Sequence, residues 1–247
     1  MISRLYISEI ILNRTDVISY SVYPFSLPVV KNLGRLKLNS NVTFFVGENG
    51  TGKSTLLEAI AVNYGFNPEG GSKNFSFSTM KTHSELYKYI TLVKGVYKPK
   101  DGYFLRAESF YNVATEIENL DSVPSFGPPL KESYGGKSLH EQSHGESFLS
   151  LIVDRFYGNG LYLLDEPEAA LSPSRQMALL ARMYDLVKSN SQFIIATHSP
   201  ILLAYPNAQI FVLTDDKITL TPYQETEHYI LTKQFINNPE GMLKHLL

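Results

Sequence analysis

GENGTGKST, Gly47 to Thr55, decides how this chain is read. It satisfies G-x-x-x-x-G-K-[ST] in full, a spacing in which each residue type has a mechanical task. The glycines let successive backbone N–H groups turn inward, and the start of a following helix adds its own unpaired donors, so the loop makes a cradle for phosphate oxygens. Asn49, Gly50, Thr51, Gly52 and Thr55 line that cradle, Lys53 reaches the β- and γ-phosphates, and Ser54 offers a hydroxyl to Mg²⁺. The flanks agree. Val42–Val46 (VTFFV) predicts a strand, and from Ser54 onward Leu56, Leu57, Ile60 and Ala61 recur at helical spacing. The competing reading, a glycine-rich turn with a surface lysine, would require neither flank.

A second stretch answers the first. LYLLDEPE, Leu161 to Glu168, runs an apolar strand, suited to burial on both faces, into carboxylates at its C-terminal end, where ligands bind in open α/β sheets. Asp165 would hold the Mg²⁺ shell and Glu166 would orient or deprotonate the attacking water. Phosphoryl transfer asks little more of a protein than a placed water, a metal and charge stabilisation. An acidic turn solvated at a strand end is the alternative, and the phosphate loop upstream weighs against it. A further apolar run, Phe193–Ala196, ends at Thr197-His198-Ser199. A histidine at a strand end can be purely structural. At this edge His198 reads instead as a contact to the γ-phosphate.

Outward from these motifs, residues 2–12 and 17–23 read as strands of a small β layer, and Ser84–Val93 as a helix with Leu86, Ile90 and Val93 on one face. A hairpin-like pair is expected around Pro99–Gly102, with Tyr103–Arg106 as its second strand. The Pro- and Gly-rich span 121–137 reads as a surface loop. After Gly145 a helical pattern leads to the acidic strand; Ser172 and Pro173 then cap and start a helix through Lys188. Ile210–Leu213 and Ile218–Leu220 flank a turn at Asp215-Asp216-Lys217. Alternating strands and helices imply an α/β fold with a largely parallel sheet between helices. One domain over 1–247 is expected, with 1–66 and 151–247 as its nucleotide-binding core and 67–150 as a side lobe.

Composition narrows the class. Of 247 residues 43% are hydrophobic and 19% charged, as in a folded soluble domain. With 22 basic against 24 acidic residues the formal charge is −2, so no global field draws in DNA, RNA or anionic lipid, and duplex binding would need a local basic patch. No cysteine means no disulfide and no thiolate metal site. No run approaches the roughly 20 apolar residues of a membrane span, and none at the N-terminus suits a signal peptide. A cytoplasmic protein is expected.

Taken in order, GENGTGKST, SHGES (Ser143–Ser147), LYLLDEPE, AALS (Ala169–Ser172) and Thr197-His198 resemble the ATP-binding-cassette (ABC) ATPases, a P-loop NTPase family. More narrowly, YPFSLP, GFNPEGGS, LRAESFYNVATEI and SLHEQSHGESF are similar to a group of stand-alone bacterial ATPases. Glu146 after the signature glycine is closer to chromosome-maintenance and recombination-repair ATPases than to transporter subunits. The resemblance implies an N-terminal antiparallel β layer, a helical side lobe carrying the signature, ATP with Mg²⁺ as ligands, and hydrolysis in an ATP-dependent homodimer. Ser143 and Gly145 would then meet the γ-phosphate bound by the other copy. Gln142 and His144 stand where transporters show leucine and glycine, and Ser172 replaces the usual aspartate. No glutamine precedes Gln142, so the metal-sensing glutamine of the family is missing; Glu108 is the substitute assigned here. Tyr20, Tyr23 and Phe25 are the candidates for stacking on adenine.

Other readings remain in view. His140-Glu141-Gln142-Ser143-His144 spells H-E-x-x-H, a zinc-hydrolase pattern, although Gly145 follows at once and the same letters serve the signature. A nucleotide-gated clamp with negligible turnover, or a transporter's ATPase subunit, would carry the same phosphate loop and the same carboxylates.

Overall fold

β3 (Val42–Val46), β7 (Gly160–Asp165) and β8 (Gln192–Ala196) are buried at every position, which makes them the centre of a sheet covered on both faces. The computed structural model describes residues 4–72, 83–107, 110, 115, 121 and 144–246. Seven strands run in the order β10-β9-β3-β8-β7-β6-β4, where β4 is Gly71–Ser72, β6 Asp101–Arg106, β9 Gln209–Leu213 and β10 Ile218–Leu220. The inner five are parallel; β4 and β10 pair antiparallel at the edges. β4 and β6 join this sheet from within the span 67–150.

Side-chain alternation decides which helix each strand meets. Phe45, Leu163 and Ile194 pack with Leu56, Leu57 and Ile60 of α2 (Lys53–Tyr64). On the other face Phe44, Leu164, Phe193 and Ile195 pack with Leu179, Met183 and Leu186. These belong to a long helix, Pro173–Lys188, that begins after Ser172 with Pro173 in its first turn, as its sequence predicts, but the Ser172 hydroxyl lies against that of Ser174 at 3.1 Å and makes no capping bond. Register sets the height of the loops. Phe45 pairs with Ala196 and Ala196 with Asp165, so the three central strands end level at one edge of the sheet.

A second, antiparallel sheet has the order β2-β1-β5, with β1 Ile7–Leu12, β2 Arg35–Lys37 and β5 Ile90–Lys94. Fully buried Gln192 joins it to the main sheet. Its Oε1 accepts from the N–H groups of Tyr6 (2.7 Å) and Ile7 (3.0 Å), and its Nε2 donates to the Ile7 carbonyl (2.8 Å). Below this layer the short helix α1 (Pro28–Asn32) meets the phosphate loop, the Val29 N–H donating to the Thr51 carbonyl at 3.0 Å.

Three sequence expectations change. Residues 17–23 form no strand: Ile18, Val22 and Tyr23 are 96%, 58% and 62% exposed, and no strand among the described residues takes up their backbone. Ser84–Val93 is not a helix but a single turn, Glu85–Lys88, capped by the Ser84 hydroxyl, followed by β5. Ile90 and Leu92 point inward while Thr91 and Val93 point out, so pairing with β1 satisfies the apolar positions at period two. The expected hairpin is also absent. β5 and β6 lie in different sheets, and Asp101 and Gly102 are strand residues of β6 beside β7. The loop expected at 121–137 and most of the side lobe fall outside the described residues.

Candidate functional site

The loop between β3 and α2 is shaped by its glycines. Gly52 sits at φ +95°, a left-handed conformation that costs other residues roughly 1–2 kcal/mol. A Cβ there would also stand 2.5 Å from Cγ1 of Val29. Thr51 closes the turn with its hydroxyl on the Glu48 carbonyl (2.9 Å). Lys53 is 4% exposed, and its ammonium donates to the carbonyls of Gly47 (2.8 Å) and Glu48 (3.1 Å). Burial lowers its pKa, opposed by the nearby carboxylates of Glu166, Asp165 and Glu168.

Across the edge, Ser54 Oγ donates to Asp165 Oδ1 at 2.8 Å, 111 residues along the chain. Asp165, 6% exposed, also lies 3.5 Å from Arg106 Nε at the end of β6, and Arg106 is bonded to Glu58 of α2 at 2.7 Å. Glu166 follows at φ 49°, ψ 52°, one of four non-glycine residues with positive φ among those described. Its N–H donates to the Ala196 carbonyl (2.9 Å), which ties the ends of β7 and β8 together. Strained backbone of this kind concentrates at functional sites.

His198 reaches the same space from β8. Its Nε2 is 3.7 Å from Glu166 Oε1 and is shielded from solvent, with no hydrogen-bond partner among the described residues. Glu168 holds the backbone beneath it, accepting from the Thr197 hydroxyl (2.7 Å) and the His198 N–H (2.5 Å). Burial lowers the His198 pKa, with Lys53 adding to the effect and Glu166 opposing it; burial raises that of Glu168. Nδ1 of His198 lies 3.3 Å from Nε2 of His228, at the start of a C-terminal helix, Glu227–Asn237.

The structure thus gathers Lys53, Ser54, Asp165, Glu166 and His198, with the loop residues Asn49 to Thr55, at one sheet edge. Gly145 lies in a helix over His144–Ser150, which we label α3, so close to Ala170 that a Cβ would come within 2.7 Å of its carbonyl oxygen. Glu146 of α3 is bonded to Arg175 at 3.1 Å. Ser143, Glu108 and the first four residues of the H-E-x-x-H pattern lie outside the described residues. Among those described, no three histidine, aspartate or glutamate side chains form a metal-binding group. Phe25 is 8% exposed and packs edge-on against Tyr89 at 4.7 Å, so it is a core residue rather than an adenine platform. Tyr20 packs against the same core, and Tyr23 remains open. Arg106, Glu168 and His228 were not singled out from the sequence. Glu168 stood in view as the last carboxylate of LYLLDEPE; the other two had no local signal.

Comparison with known proteins bears on the fold. Residues 27–123 match a family model described as "AAA domain", and residues 130–204 match one described as "AAA domain, putative AbiEii toxin, Type IV TA system". An uncharacterized ABC transporter ATP-binding protein of Haemophilus influenzae is 25% identical over 225 residues, 84% of this chain and 83% of its own length. Structural maintenance of chromosomes protein 6 of Takifugu rubripes is 27% identical over 114 residues, 37% of this chain. The chain spans a quarter or less of the length of two curated relatives it matches. In fold it is similar to cbiO1 of Clostridium perfringens, part of the ABC transporter complex cbiONQ, with a TM-score of 0.52 at 18% identity and 98% of both chains covered. The fold is that of the P-loop ATPases. Two stretches of the chain match AAA-domain models and the fold is that of the AAA/ABC-type P-loop ATPase domains, with similar proteins among both transporter and chromosome-maintenance ATPases. No helix among the described residues is long and apolar enough to cross a membrane.

Proposed function

We propose that this chain binds ATP with Mg²⁺ on the Gly47–Thr55 loop and hydrolyses it as an ATP-dependent homodimer in the cytoplasm. The observation that carries the reading is the 2.8 Å pair of Ser54 Oγ and Asp165 Oδ1, which brings the loop hydroxyl and the strand-end carboxylate to one point. A hydroxyl and a carboxylate are hard oxygen donors of the kind Mg²⁺ takes, and it usually binds through few protein groups plus phosphates and water. When bound, the metal would offset charge on the phosphate oxygens.

The chain's own residues do the rest. Loop N–H groups and the Lys53 ammonium hold the phosphates. Glu166, turned toward the site by its left-handed backbone, aligns a water and takes its proton, while His198 places a ring nitrogen beside it. Ser143 and Gly145 would act on the ATP of the other copy, with Glu146–Arg175 fixing α3 to the helix after AALS. The division into a core (1–66, 151–247) and a signature-bearing lobe (67–150) belongs to the same proposal, amended by the place of β4 and β6 in the core sheet. Any role in DNA maintenance, repair or defence would run through a local basic surface, given the net charge of −2.

Phosphate release by the pure protein tests the reading. Glu166→Gln should bind ATP and lose activity by about a hundredfold or more, whereas Lys53→Ala should lose binding itself. Mixing Lys53→Ala with Ser143→Arg should restore part of the activity, since one of the two shared sites is then intact. Wild-type turnover in Glu166→Gln would remove that residue from the mechanism. No rescue on mixing, with Glu166→Gln monomeric in ATP by light scattering, would remove the dimer.

A further inference from the structure

The pairing of His198 with His228 has a chemical consequence at the phosphate edge. Two imidazole nitrogens 3.3 Å apart, His198 Nδ1 and His228 Nε2, can bond only if one of them carries a proton and the other offers a lone pair. For neutral rings this choice fixes the other nitrogen of each. If His198 Nδ1 donates, its Nε2 presents a lone pair to the site; if it accepts, its Nε2 presents an N–H.

The surroundings decide between the two. His198 Nε2 is shielded from solvent and faces Glu166 Oε1 at 3.7 Å. A lone pair aimed at a carboxylate is repelled, and an N–H is attracted, so the carboxylate, at 3.7 Å and without a bond, favours protonated Nε2, and a donor on the Nδ1 side locks that choice. Nδ1 must then accept, and the proton between the rings belongs to His228. Burial lowers the pKa of both imidazoles, with Lys53 adding to the effect on each and His198 on His228, against the raising pull of Glu166 on His198 and of Glu227 and Glu168 on His228, and the net direction favours neutral rings.

We propose that His228 is a positioning residue of the ATPase site: its Nε2–H donates to His198 Nδ1 and fixes His198 in the tautomer whose Nε2–H faces Glu166 and the γ-phosphate. His228 can do so because its helix, labelled α6 here (Glu227–Asn237), is pinned beside the β8 edge. Thr226 caps α6, accepting from the Tyr229 N–H, and the Tyr223 hydroxyl donates to the Pro200 carbonyl at 2.9 Å, two residues past His198. The C-terminal helix thereby supplies part of the phosphate edge. The inference rests on the ATPase reading for its kinetic arm only; the tautomer is a property of the protein without nucleotide.

The test uses the whole chain, ¹⁵N-labelled at histidine. Two-bond ¹H–¹⁵N correlation spectra of the wild type should show His198 protonated at Nε2, with Nδ1 as acceptor. His228→Ala should lose that single pattern and lower kcat by about tenfold or more with KM changed less than twofold, as losses of orienting partners do. His228→Gln, whose amide can still donate, should recover both. A wild-type His198 protonated at Nδ1 overturns the proposal whether or not any variant folds. So does a His228→Ala protein with the His198 pattern unchanged, or a His228→Gln protein no more active than His228→Ala. If the wild type does not hydrolyse ATP, the ATPase reading fails and the spectra alone decide the proposal.

Discussion

Replacing Gln192 with leucine should separate the two sheets energetically while leaving the phosphate loop's own residues in place. Leucine fills nearly the same volume but removes all three bonds to Tyr6 N–H, Ile7 N–H and the Ile7 carbonyl. Tyr6 and Ile7 are 3% and 0% exposed, so water cannot replace the amide. A buried backbone group left unpaired costs about 1–3 kcal/mol. Three such groups, less about 1 kcal/mol regained by burying apolar carbon, give a loss of roughly 4 kcal/mol. For a chain of this size that lowers Tm by roughly 8–16 °C. The chain has no tryptophan, so urea unfolding is best followed by far-ultraviolet circular dichroism. ATP affinity should fall as well, because the region joined to β1 continues into α1, whose Val29 N–H holds the Thr51 carbonyl. A stability loss below about 1 kcal/mol would refute the view that this amide holds the layers together.

Gly52→Ala should lower ATP affinity at least tenfold by calorimetry, since its Cβ meets Val29 at 2.5 Å from a left-handed backbone; unchanged affinity would mean the loop relaxes freely. Stability should depend on pH through the buried edge. The His198 and His228 contributions, both with pKa lowered chiefly by burial, are complete above their unfolded value near 6.5 and are lost as pH falls through the lowered folded values. Glu168, raised chiefly by burial, acts in the opposite sense: its contribution is complete below its unfolded value near 4.5 and is lost as pH rises through the folded one. Urea midpoints should therefore fall below about pH 6.5, less steeply in His228→Gln than in the wild type; equal slopes would place the titration elsewhere.

The parts of the fold legible in the sequence were those whose partners cover them on both sides. Val42–Val46 and the apolar runs within Gly160–Asp165 and Gln192–Ala196 need no particular neighbour to be recognised, because a central parallel strand is apolar throughout. Pro173–Lys188 declares itself through Ser172, Pro173 and one apolar stripe. The N-terminal layer was misread where the answer depended on distant pairing. Leu86, Ile90 and Val93 fit a helix face as written, yet β1, some 80 residues earlier, is the surface that Ile90 and Leu92 meet. Residues 17–23 carry strand-forming side chains with no strand beside them among the described residues, and propensity alone cannot register the missing partner.

The site divides along the same line. The meeting of Lys53, Ser54, Asp165 and Glu166 at one edge was readable because their placement is set by spacing within a few residues of a strand end. Arg106, Glu168 and His228 are defined by what they touch: Arg106 by Glu58 and Asp165, Glu168 by Thr197 and the His198 N–H, His228 by the His198 ring. Each reaches the edge from a different element, and together they orient the groups that the motifs supply. Placing a strand end in register fixes where a side chain starts, but not its rotamer, tautomer or charge. Those are set by this outer ring, so a substitution in α6, about 30 residues beyond His198 and outside every motif, should be felt at the phosphate edge as directly as one within the loop.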